Sequence, residues 1–92
     1  MNDIAIKLKV LSPWKVIWEG DVVAISGTNN DGVFDVLPDH ERFVTIVSIA
    51  PIEIVTTAKE RLTFSFKEAL LVCADNVANI YTTDVAANLN TE

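Results

Sequence analysis

Reactive side chains concentrate in one stretch, DGVFDVLPDHE, residues 31–41, which places Asp31, Asp35, Asp39 and Glu41 around His40, the chain's only histidine. Carboxylates beside an imidazole suggest a metal cluster or an acid–base pair. A calcium loop needs acids at alternate positions, a central glycine and a terminal glutamate, and TNNDGVFDV does not supply that order. Zinc asks for more than one histidine or cysteine. Aspartate has a simpler use, because it accepts turn geometries, including positive φ, better than most residues. Asp35 and Asp39 are therefore expected in solvated turns between strands. A nucleophile would have to be Cys73, but its setting, ALLVC, is apolar, and a cysteine there is expected as a small buried hydrophobe with an inert thiol. Spacing alone does not forbid a Cys73–His40 dyad, and nothing local supports one. The three glycines, Gly20, Gly27 and Gly32, lie too far apart for a phosphate-cradling loop.

The bulk composition narrows the partners. The chain has 92 residues, half of them hydrophobic, which is enough for one small core without staples. Its single cysteine forms no internal bridge, so nothing points to an oxidising compartment. The net charge is −6, and the seven basic residues (Lys7, Lys9, Lys15, Arg42, Lys59, Arg61 and Lys67) form no patch that neutralises a row of phosphates. Nucleic acid and direct binding to acidic lipid are disfavoured on that ground. The start, MNDIAIKLKVL, lacks the apolar core of a signal peptide. The longest charge-free run, Phe43 to Ile52, is far below the roughly 20 residues of a membrane-spanning helix. The simplest expectation is a soluble, cytoplasmic chain.

The elements that hold these residues read as β almost throughout. Ile4, Ile6, Leu8 and Val10 alternate with Ala5, Lys7 and Lys9, the pattern of a half-buried strand, and Trp14, Val16 and Trp18 share one face of the next segment. Further strands are predicted over Val22–Ser26, Val33–Leu37, Phe43–Ile49, Ile52–Thr56, Leu62–Phe66, Ala69–Cys73 and Val77–Thr82. Breakers are expected at Ser12-Pro13, Glu19-Gly20-Asp21, Gly27 to Gly32, Pro38-Asp39, Pro51, Ala58 to Glu60 and Asp75-Asn76. The fold class is all-β: a small antiparallel sandwich of about eight to ten short strands, a barrel being the other all-β arrangement such spacing allows. The tail, VAANLNTE, is too short for a stable lone helix.

One strand is apolar on both faces. Phe43, Thr45, Val47 and Ile49 lie on one side, Val44 and Ile46 on the other, whereas a sandwich strand needs only one apolar face. Two readings stay open on periodicity: a hairpin folded over the second face, or a partner protein docked there.

The residues in order carry a resemblance. SPW, then W-x-G-D-V, a loop ending at Gly32, FDVLPDHERFVTIV, an apolar strand and ALLV-x-x-DNV resemble the epsilon subunit of F-type ATP synthases over residues 4 to about 85, the part corresponding to that family's N-terminal β-sandwich. Gly20, Gly32, Val36-Leu37-Pro38, His40, Thr45, Ile52, Val72 and Asn76-Val77 fit the family pattern without a gap. HERFV is also similar to a His-x-Asp-Phe-Val form of alternate, sodium-linked enzymes, with Arg42 where the Asp would stand. Asp35, Asp39, Ala50, Lys67, Glu68 and Asp75 stand at or near positions where the family uses glycine. A Lys67-Glu68 pair in place of Gly-Gly would hold a non-glycine at positive φ, at a cost of roughly 1 kcal/mol, unless the hairpin changes shape.

What the resemblance implies is a non-catalytic rotor subunit of the central stalk, with no cofactor and no metal. Its partners would be the gamma subunit and the membrane-embedded c-ring, so that it sits on the cytoplasmic side, peripheral to the membrane and touching it only through the complex. By position, Asn30, Asp31, Gly32 and Val33 match the c-ring-facing loop, with Val33 in place of a common acidic residue. Ser12, His40 and Thr45 match gamma-facing positions, and the docked-partner reading of Phe43–Ile49 gains from this. The domain is expected over residues 1–85, with 86–92 a short tail in place of the family's C-terminal helical hairpin. The competing class is a stand-alone β-sandwich interaction module unrelated to the ATPase; a small hydrolase using Cys73 and His40 is a distant third.

Overall fold

Alternating aliphatics and closely spaced turn residues give seven strands in the computed structural model, which describes residues 5–83 and 88–91. The strands are β1 (Ile6–Leu11), β2 (Val16–Asn29), β3 (Gly32–Val36), β4 (Phe43–Thr56), β5 (Arg61–Ala74), β6 (Val77–Thr82) and β7 (Asn88–Thr91), and no helix occurs among the described residues. β6 has the predicted bounds. The predicted pairs Phe43–Ile49 with Ile52–Thr56, and Leu62–Phe66 with Ala69–Cys73, are each one 14-residue strand. Ile4 and Val85 lie outside the described residues.

The long strands each serve two layers. By pairing, one layer runs from residues 43–48 of β4 through 69–74 of β5, β6 and β1 to 16–22 of β2. The other runs from β3 through 25–29 of β2, 53–56 of β4 and 61–66 of β5 to β7. Ten short segments in two layers of five are thus built from fewer, longer strands. Pairing is antiparallel except between β1 and β6. Asn88–Thr91, within the segment read as a tail, pair with Leu62–Ser65, so the sheet continues past residue 85.

A strand that passes from one layer to the facing one must exchange its inner and outer faces, and bends or bulges accomplish this. In β5 the buried set changes from Leu62, Phe64 and Phe66 to Ala69, Leu71 and Cys73; in β4 it changes from Val47 to Ile52 and Ile54; in β2 from Val22 to Ile25. The β2 change coincides with a register shift between Val22 and Ala24. In β4 and β5 it falls at the shared corner, where Ile49 and Lys67 drop out of the ladder. Ile49 there has φ 51° and is 88% exposed. Lys67 and Glu68 are not among the residues with positive φ, so the strain expected at the missing glycines sits across the corner, on Ile49.

Two expected breaks do not end a strand. Gly20 stays in β2 opposite Leu8, beneath the ring of Trp18. Pro51 sits at the corner beyond Glu53, where pairing with β2 stops, so no ladder bond is lost on that side. The layers close over Ile6, Leu8, Val10, Ile25, Ile54, Phe64, Leu71 and Ile80, all buried, and Trp18 meets Phe64 edge-on at 6.0 Å.

Candidate protein interface

The acids do not converge. Asp39 takes φ 68°, as its turn role predicts, and its backbone N–H donates to Asn76 Oδ1 at 2.7 Å while Asn76 Nδ2 donates to Asp39 Oδ1 at 3.0 Å. This pair ties the β3–β4 turn to the β5–β6 turn. Asp35 is not in a turn: it lies within β3 opposite Ser26, whose hydroxyl donates to it at 2.5 Å, because the strand runs on to Val36. Among the described residues, no three His, Cys, Asp or Glu side chains gather as metal ligands.

Cys73 is buried, and burial pushes its thiol up from the ordinary value of 9.0, which disfavours the thiolate. His40 is exposed in the turn, with Nδ1 2.7 Å from the Glu41 carbonyl oxygen and its ring edge-on to Phe43 at 5.7 Å. No hydrogen bond joins His40 to Cys73 among the described residues.

The residues matched to partner contacts do not all gather: 30–33 lie at the β2–β3 hairpin, Ser12 in the β1–β2 turn, His40 in the β3–β4 turn and Thr45 within β4. Asn30 and Asp31 form the two-residue turn of the β2–β3 hairpin, closed by the Asn29↔Gly32 pair. Gly32 has φ +119°, a backbone conformation that side-chain-bearing residues rarely adopt. The Asp31 N–H donates to Asn29 Oδ1 at 2.8 Å, and the Val33 side chain beside the tip is 80% exposed. Ser12 lies in the β1–β2 turn, where its hydroxyl accepts from the N–H groups of Trp14 at 3.2 Å and Lys15 at 3.1 Å. Thr45 lies on the inner side of β4, where Oγ1 accepts from Asn29 Nδ2 at 2.9 Å. Ser12 and Thr45 thus spend their hydroxyls within the chain.

The outer face of β4 carries more than those positions. Val44 and Ile46 are each 57% exposed, and no described segment folds over them, so the covering-hairpin reading fails. Ile46 is in register with Leu70, and Leu70 with Tyr81, so three neighbouring strands place apolar side chains in one row. Leu11, Ser12 and Pro13 wall one side of this row, leaving an open depression of about 390 Å³. Leu70 and Tyr81 were not singled out from sequence. The signal for Leu70 was available, since ALLV is apolar on both faces. Tyr81 becomes visible only through its pairing.

The fold belongs with a known class. The family described as ATP synthase, Delta/Epsilon chain, beta-sandwich domain matches residues 5–88, and the chain belongs to it. A chloroplast ATP synthase epsilon chain of Pinus koraiensis is 41% identical over 51 residues, covering 55% of this chain and 37% of that protein. An ATP synthase epsilon chain of Leptospira interrogans is 29% identical over 82 residues, covering 89% of this chain and 64% of that protein. The chain thus spans only part of these relatives' length. Among solved structures, a chain in the OSCP/F1/c-ring structure of the Euglena gracilis mitochondrial ATP synthase superposes with a TM-score of 0.83 at 21% identity, covering 95% of this chain and 54% of that one. That likeness concerns the fold.

Proposed function

We propose that the chain is a rotor subunit of an F-type ATP synthase, without chemistry of its own, that joins the gamma subunit to the ring of c subunits. The family match over residues 5–88 carries this reading. The chain's own surfaces agree with it. The row Ile46–Leu70–Tyr81, with Leu11 and Pro13, is the face for gamma, since the matched position Ser12 borders it; Thr45, turned to the opposite side of β4 and bonded to Asn29, is left out of that face. Its apolar character suits a lasting interface. The hairpin tip, residues 30–33, is the ring contact, and Val33 makes it more apolar than an acid would.

The work is mechanical. Torque passes between two partners only if the body between them deforms little. Strands β2, β4 and β5 run unbroken through both layers, so load on one layer reaches the other through covalent backbone as well as packing. His40 serves as a contact at the turn leading into β4. The subunit sits on the cytoplasmic side, held at the membrane through the ring.

Co-purification tests the reading. The chain, expressed with the gamma subunit of the same organism, is expected to form a stable complex that then binds purified c-ring. A folded chain that captures neither partner would instead be a stand-alone sandwich module.

A further inference from the structure

The β2–β3 hairpin extends past the sheet that supports it. Pairing of β2 with β4 ends at Ser26↔Glu53, whereas pairing with β3 continues through Gly27↔Phe34 and Thr28↔Val33 to Asn29↔Gly32. The tip is therefore a two-stranded ribbon, an arrangement only marginally stable by itself and free to twist. Two contacts reach from it to the facing layer. Phe34 packs against Phe43 at 5.3 Å, and the Asn29 amide donates to Thr45 Oγ1. Asn29 does both jobs at once: its oxygen caps the Asn30-Asp31 turn and its nitrogen bolts that turn to β4.

We infer that the Asn29–Thr45 bridge is a positioning device that fixes the hairpin tip in its ring-binding pose relative to β4, the strand that carries Ile46. This rests on the rotor reading given above. Asn29 and Thr45 act through the tip: Thr45 spends its hydroxyl on Asn29, and the exposed groups are those of Asn30, Asp31 and Val33. With the bridge broken, Phe34–Phe43 still anchors the ribbon's base while the tip swings, so part of the population is misaligned for the ring. The gamma-facing row is untouched.

Thr45→Val tests this cleanly, because it removes the hydroxyl, keeps the shape and leaves the Asn29 cap on Asp31 in place. Three measurements are made on the full chain: amide hydrogen exchange at Asp31 and Gly32, affinity for purified c-ring from the same organism, and affinity for gamma. For T45V we expect exchange at the tip and the ring dissociation constant each to rise about fivefold, the scale of one neutral hydrogen bond, with gamma affinity unchanged. Thr45→Ser, which keeps the hydroxyl, should stay within about twofold of the parent on all three. A T45V chain that binds ring and exchanges at the tip like the parent overturns the inference. If the parent itself does not bind ring, the rotor reading fails, and exchange at the tip still decides whether the bridge holds the ribbon.

Discussion

Asn76 shows how a residue that resembles a sequence signature can be explained by geometry. It and Asp75 form a turn with φ 62° and 54°, the double positive-φ geometry of a tight hairpin, and its side chain holds Asp39 across 37 positions of sequence. Asn76→Ala removes both bonds and leaves a Cβ-bearing residue with no local hydrogen bond at positive φ, so it is expected to cost about 2 kcal/mol in urea unfolding. Asn76→Gly removes the bonds but accepts the backbone, and should cost about half of that. Equal losses would show that φ is not part of the effect. Cys73 allows an equally local test. Its thiol is expected to react with a neutral maleimide at least about a thousandfold more slowly in the folded chain than in denaturant, because access requires opening of the core. The pH sign follows from the raised thiol. Its contribution to stability is whole below the ordinary value of 9.0 and is lost as pH climbs toward the higher folded value, since the unfolded chain ionises first. A serine variant should therefore show a shallower alkaline loss of stability than the parent. An unchanged alkaline slope would contradict that assignment.

At the scale of elements the corner between β4 and β5 decides most of the fold. Ile49 occupies a left-handed conformation that a β-branched residue resists, and its side chain makes little packing that a substitution would lose. Ile49→Gly should thus stabilise the chain by about 1 kcal/mol, the relief of strain exceeding the extra entropy of glycine in the unfolded state. A destabilised variant would mean that the corner is not strained. The same corner explains what could be read in advance. Ile6, Leu8, Val10 and the whole of β6 keep one alternation from end to end, and there the sequence pattern and the strand agree. In β4 and β5 the alternation resets where the strand changes layers, so each half reads as a separate strand with a break between. Pro51 and Gly20 strengthen that impression, because a residue type that usually ends a strand also serves at a bend or beneath an aromatic ring. The apolar row was legible only in its first strand, β4. Val44 and Ile46 betray a second apolar face, but the row that Ile46 joins is assembled by register with Leu70 and Tyr81 from two other strands. The Asn29–Thr45 bridge, 16 residues apart, leaves no periodic trace at all.

The whole molecule separates two surfaces, and that separation can be tested with charge. Ile46 lies in the apolar row and Val33 beside the hairpin tip; both are largely exposed, so a glutamate at either should change folding stability by no more than about 0.5 kcal/mol. In a complex the two positions part company. A carboxylate at residue 46, pressed between Leu70, Tyr81 and an apolar partner, would be desolvated without a counter-charge, and the chain's net −6 gives it no help. Ile46→Glu is accordingly expected to weaken binding to gamma by about a hundredfold or more, the scale of a central interface residue. Val33→Glu should leave gamma affinity within about twofold of the parent, because a rim or remote substitution contributes little. Titration calorimetry with purified gamma and each variant gives both numbers, and circular dichroism confirms that each variant is folded. Equal affinities for the parent and I46E would move the gamma contact off this face. A loss with V33E that matches the loss with I46E would mean that one partner spans both surfaces, and that the body of the sandwich does not stand between two partners as a rotor element must.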